Sequence, residues 1–206
     1  MFEQVSRPTW AFAVGIIIAA GVGYWYMASQ PGHMMSDTHP IGFADSDEEV
    51  HVHSDWVLHI DGITFDLSDD KYQSGNMQVL HEHIHLHDNN DDVIHRHDHG
   101  VTLGAFFNSL GFTLTNECVT TDTGEEFCSD DTSELMVFVN DERLDDFKDY
   151  VNQEEDKILV YYGGSEDTEK ITELLLSVTD KACIYSGTCP ERGTPPPESC
   201  GITCEI

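Results

Sequence analysis

The chain has 206 residues, with 39 Asp and Glu against 9 Lys and Arg, a formal charge of −30 at neutral pH. So acidic a chain has nothing basic with which to displace the counterions of a nucleic acid, which excludes that partner. Its length fits one domain plus appendages, and 10% aromatic residues with several apolar runs exclude a disordered acidic chain. The acids are spread along the sequence, which fits solubility in a very salty medium better than local attraction of cations.

Residues 1–9 read as a short cytoplasmic segment. Trp10 to Met27 carries no charge and is just long enough to span a bilayer. Trp10 and Phe12 stand at one end and Tyr24, Trp25 and Tyr26 at the other, as interfacial aromatics do. Arg7 precedes the span and no Lys or Arg follows until Lys71, so the bulk of the chain is expected outside the cell membrane. Bulky Tyr24 to Met27 occupy the place of a small-x-small cleavage site, which favours an uncleaved signal anchor over a cleaved peptide. Residues 28–49, acidic and holding Pro31, Gly32 and Pro40, read as a linker.

A β-rich domain is expected over residues 50–164. In HVHSDWVLHIDGITFDL, Asp61-Gly62 signals a two-residue hairpin turn. Pairing Ile60 with Ile63 sets Leu58 opposite Phe65 and Trp56 opposite Leu67 on one apolar face. The other face then carries His51, His53, Asp55 and His59, with Thr64 and Asp66 across from them.

The next stretch, HEHIHLHDNNDDVIHRHDH, holds seven of the 12 histidines, all at odd positions: His81, His83, His85, His87, His95, His97 and His99. Strand side chains alternate faces, so an odd series puts its imidazoles on one side. A three- or five-residue loop within Asp88 to Asp92 sets His85 opposite His95, His83 opposite His97 and His81 opposite His99, whereas an even loop would split the runs between faces. Ile84, Leu86 and Ile94 form the opposite, apolar face. Both hairpins thus predict apolar residues inside and histidines outside. The bland reading of such a face is a solvated strand surface; seven imidazoles in register favour a metal site.

Thr102 is placed to N-cap a short helix with Leu103, Phe106, Phe107 and Leu110 on one stripe, ended by Gly111. In CVTTDTGEEFC a three-residue loop at Asp122 to Gly124 sets Cys118 opposite Cys128, within reach of a disulfide. Leu135 to Val139 and Ile158 to Tyr162 read as buried strands, with Glu154 to Asp156 turning the chain into the second. An amphipathic helix is expected over 165–182, with Ile171, Leu174, Leu175 and Val178 on one side. A Cys/Pro-rich tail over 183–206 follows. Six cysteines outside an anchor imply disulfides, and local pairs are expected: Cys118 with Cys128, Cys183 with Cys189, Cys200 with Cys204.

The stretches HVHSDW, HIHLHD, VIHRHDHGVTLGAFFNSLGF, VFVND and ACIYSGTCPERGTPPPESC resemble a family of short membrane-anchored proteins of environmental bacteria and archaea, some of them labelled protein-disulfide isomerase. The resemblance runs from about His51 to Cys204. The isomerase label would imply a thiol–disulfide activity, but the chain has no C-x-x-C motif. The order of hairpin, helix 102–110 and later strands also looks like the β-grasp, ubiquitin-like topology. The expected fold is therefore α+β: one transmembrane helix, a hairpin-rich β-grasp-like domain and a disulfide-containing tail.

Two functions follow. The first is an extracytoplasmic module binding Zn or Cu through His85 and His95, with His83 and His97 beside them. His51, His53 and Asp55 would join if the two histidine faces adjoin, and His87 extends the row. The second is a thiol–disulfide oxidoreductase using a tail pair, with a non-catalytic surface interaction domain as the plainest alternative. No P-loop, nucleophile elbow or dinucleotide fingerprint points to another enzyme.

Overall fold

The computed structural model describes residues 50–75 and 78–196. The expected segment 1–9, the span at 10–27, the linker at 28–49 and the pair Cys200 and Cys204 lie outside the described residues. Among those described, no helix is long and apolar enough to cross a membrane.

The fold is α+β. In chain order the strands and helices are β1 Val52–Ile60, β2 Ile63–Thr64, β3 Gln73–Ser74, β4 Ile84–His87, β5 Asn90–Arg96, α1 Leu103–Ser109, β6 Thr113–Leu114, β7 Cys118–Thr120, β8 Glu126–Cys128, β9 Glu134–Val139, β10 Glu142–Leu144, β11 Lys157–Gly163, α2 Thr168–Ser177 and α3 Ala182–Tyr185. The main sheet runs β10-β9-β11-β1-β5-β4-β3, with β2 attached to β1, and β6-β7-β8 form a second, smaller sheet. β1 lies at the centre, parallel to β11 and antiparallel to β5.

Each local element follows from its sequence. Asp61 and Gly62 both take positive φ (49° and 82°), the conformation a tight two-residue hairpin demands, and Ile60 faces Ile63 across it. Thr102 Oγ1 accepts the Ala105 N–H at 3.3 Å and so caps α1, and Gly111 (φ 81°) follows its end. Gly124 (φ 84°) closes the third hairpin, in which Cys118 faces Cys128 and is bonded to it.

One face of the sheet builds the larger core. Trp56, Leu58 and Ile60 of β1 pack with Ile84, Leu86 and Ile94 against Phe106 and Phe107 of α1, all buried. The opposite face is covered as well, which corrects the expectation of histidines outside. Over β9 and β11, Met136, Leu159 and Tyr161 pack under Ile171 and Leu174 of α2. Over β1 and β5, the cover is α3 and the residues after it. Even His59, expected on a solvated face, is 2% exposed and stacks on Tyr161 with ring centres 5.7 Å apart.

The helix expected over 165–182 ends at Ser177, and a second, short helix begins at Ala182. Val178 turns to an extended ψ of 126°, and Asp55 on β1 takes over the backbone beyond it. Its Oδ1 accepts the Lys181 N–H at 2.7 Å and the Thr179 hydroxyl, and its Oδ2 accepts the Ala182 N–H at 3.0 Å. A buried carboxylate holding three donors fixes where the second helix starts.

The third hairpin gives a direct check. Glu-C digestion of the unreduced protein should release peptides of Cys118 and Cys128 still joined across Gly124. On the chain-entropy estimate, replacing both cysteines by Ala lowers stability by about 3 kcal/mol, read as a lower urea midpoint.

Candidate metal centre

The histidines sit where three strands meet. In β5, His95 pairs with His85 of β4 on one side and with His53 of β1 on the other. The two histidine faces of the sequence are therefore one surface. Next along the strands, the His97 N–H donates to the His83 carbonyl at 2.8 Å, which continues the same register.

The loop that sets this register is not the one expected. Asp88 and Asn89 form a two-residue turn, both at positive φ (58° and 57°), and His87 faces Asn90. A bulge between His85 and His87 then restores His85 to His95. Asp and Asn tolerate the left-handed region, so the tight turn is open to this sequence, and the surplus residues of β5 go into the bulge. One consequence is a shifted contact: His87 lies beside His95, with ring centres 3.8 Å apart, while His85 and His95 are stacked at 6.5 Å. His85 leans instead toward His97, at 5.0 Å.

The network continues across β1. His51 lies 4.6 Å from His97 and 4.5 Å from His53, and His53 lies 4.8 Å from His95. One ring nitrogen from each of His51, His53 and His95 lies within 4.8 Å of the other two. His53, His85, His87 and His95 are buried, whereas His51, His83 and His97 are half-buried.

Three of these rings are oriented from behind. His85 Nδ1 is 2.9 Å from the His81 carbonyl, and His87 Nδ1 is 2.9 Å from the Asp88 carboxylate. A carbonyl and a carboxylate only accept, so both place the proton on Nδ1 and the lone pair on Nε2. His53 Nδ1 is 2.9 Å from Ser186 Oγ, whose hydroxyl is turned toward Glu154. The serine thus gives its proton to the carboxylate and accepts from His53. This outer bonding is the arrangement that orients metal-bound imidazoles.

Other expected ligands lie elsewhere. Both Asp55 oxygens are engaged by the α3 segment, so it acts as an anchor for the cover rather than as a donor beside the rings. His83 turns toward Asp98, Nδ1 to Oδ2 being 3.4 Å, and neighbours His81 at 5.9 Å. The square of His83, His85, His95 and His97 keeps its register but is not where the rings come closest, because His85 leans toward His97 and His83 toward Asp98.

The sequence reading missed Tyr185. Its ring lies 5.0 Å from His95, 5.6 Å from His53 and 6.4 Å from His87, and its hydroxyl accepts from Asn90 Nδ2 at 2.7 Å. It belongs to α3, inside the loop closed by the Cys183–Cys189 disulfide. An aromatic between two closely spaced cysteines was the available signal. Arg96 was missed too: it is buried and donates to the Asn152 and Asp98 carbonyls, tying the end of β5 to the turn before β11.

Burial holds the His95 pKa well below 6.5, and the neighbouring His87, His53, His85 and His97 press it the same way. A base with a depressed folded pKa is protonated first in the unfolded chain. Its contribution is therefore intact above about pH 6.5 and is lost as pH falls below that value. The metal-free protein should show a lower urea midpoint at pH 5.5 than at 7.5, and His95→Gln should narrow the gap.

No family model, no curated protein and no solved structure matches this chain.

Proposed function

We propose that the protein is an extracytoplasmic, membrane-anchored module that binds a first-row transition metal, Zn or Cu, through its histidine face. The observation that carries this reading is the buried, contiguous set of imidazoles from β1, β4 and β5, several oriented through Nδ1 by outer acceptors. Burial favours neutral rings, the form in which imidazole donates to a metal. Nitrogen donors of this kind suit Zn and Cu and are poor for Mg or Ca, which take oxygen. The Cys118–Cys128 and Cys183–Cys189 bonds fit an oxidising compartment, and the uncharged stretch 10–27 supports the anchor. The central β1 parallel to the last strand β11, with β5 beside β1 and β9 beside β11, supports a β-grasp architecture carrying this site.

Calorimetry of the full-length chain in detergent tests the site. Zn²⁺ or Cu²⁺ should bind stoichiometrically at pH 7.5 and more weakly at pH 5.5, where protons compete for the same nitrogens. Replacing His53, His85, His95 and His97 together by Ala should abolish that binding. Millimolar, non-stoichiometric binding by the wild type would sink the proposal. Placement is a separate question: protease added to intact cells should digest the chain beyond residue 28, and protection of that region would reject the outward orientation.

A further inference from the structure

The geometry points to two metal ions on the histidine face rather than one, the second centred on His85. This inference rests on the metal-binding reading above and extends it. Metal–nitrogen bonds of about 2 Å put the ring centres of two imidazoles on one tetrahedral ion roughly 5 Å apart. The His51–His53 and His53–His95 pairs, at 4.5 and 4.8 Å, match that spacing. With one nitrogen from each of the three rings within 4.8 Å of the others, they form the first site.

His85 is out of reach of an ion held there. Its ring lies 6.5 Å from His95, a separation that would need the two nitrogens almost in line through the metal. On its own side it has two neighbours at the matching spacing: His97 at 5.0 Å and His87 at 5.7 Å. His87 in turn is excluded from the His95 ion by being too near. At 3.8 Å the two rings could share a metal only at a far sharper angle than a tetrahedral ion gives. The hydrogen bonds of His85 to the His81 carbonyl and of His87 to Asp88 place the proton on Nδ1, so Nε2 is the donor atom each ring would offer a metal. His85 and His97 supply the principal pair, and His87 is the donor on the other side of His85. The contact of His51 with His97, at 4.6 Å, makes the two sites neighbours.

The second ion has the same ligand chemistry as the first, neutral imidazole nitrogen, so both take Zn²⁺ or Cu²⁺. Its donors come from β4 and the residue just after β5, whereas the first site draws on β1, the residue just before it, and β5. Loss of one should therefore leave the other.

Metal content measured on the full-length chain in detergent, equilibrated with Zn²⁺ against a competing chelator, decides the matter. Two equivalents per chain are expected in the wild type, one in His85→Gln, His97→Gln, and one in His53→Gln, His95→Gln. Loaded with Cu²⁺, the wild type should show dipolar broadening in its electron paramagnetic resonance spectrum that each double variant loses. One equivalent in the wild type, abolished by either pair of substitutions, would overturn the second ion and leave a single shared site. No bound metal in the wild type would overturn the metal reading itself. The wild-type stoichiometry stands without the variants, so a variant that fails to fold does not decide the question.

Discussion

A strand buried on both faces has to satisfy two environments with one alternating sequence. β1 does this with residues of opposite chemistry. Its even positions Trp56, Leu58 and Ile60 enter the apolar core under α1, while its odd positions His53, Asp55 and His59 are buried on the other side. Pairing with β11 on one edge and β5 on the other fixes both faces at once, because a slip of one residue would exchange them. Imidazoles driven into the apolar core by such a slip would lose their partners, and Trp56 and Leu58 would face a polar layer. The register of β1 is thus strongly specified, and the position of every histidine on β4 and β5 follows from it.

Asp55 turns this register into a cover for the site. Unpaired, a carboxylate 1% exposed would be costly, and burial does raise its pKa. The hydroxyl of Thr179 and the N–H groups of Ala182 and Lys181 offset that cost and in doing so anchor α3 over β1. Tyr185 and Ser186 then arrive above His95 and His53, on a short loop cross-linked by Cys183 and Cys189. Asp92 bonded to Lys181, Glu154 to Ser186 and Glu155 to Thr188 add to this anchor, and the imidazoles beneath are enclosed as a result.

Local structure was largely legible in the sequence. The Asp61-Gly62 turn, the Thr102 cap and the Cys118–Cys128 pair all rest on short-range rules, and the structure follows each of them. So does the cross-strand meeting of His85 and His95, although by a tight turn plus a bulge instead of an odd loop. What could not be read was long-range. Alternation says which residues share a face but not what covers that face. Nothing in HVHSDW says that Asp55 will bind a segment 126 residues further on, at Lys181. Nor does alternation say how rings lean, and the leaning decides that His87 meets His95 while His85 turns to His97. For that reason the set of neighbouring imidazoles differs from the square that register alone suggests.

The acidity of the chain and the burial of its histidines act in opposite directions on the same groups. A charge of −30 favours imidazolium wherever a ring is exposed to the protein's field, and protonated rings do not bind metal. Burial works against this by penalising the charged form. At His95 the desolvation is the largest influence, and four neighbouring histidines reinforce it, because two imidazolium rings a few ångströms apart repel. A histidine-rich face left in water would therefore be a poor donor surface in so acidic a protein, tending toward protonation and screened by salt. Enclosure beneath α3 reverses this at His95, where burial disfavours the charged ring. The burial of His95 thus opposes the protonation that the chain's overall charge favours.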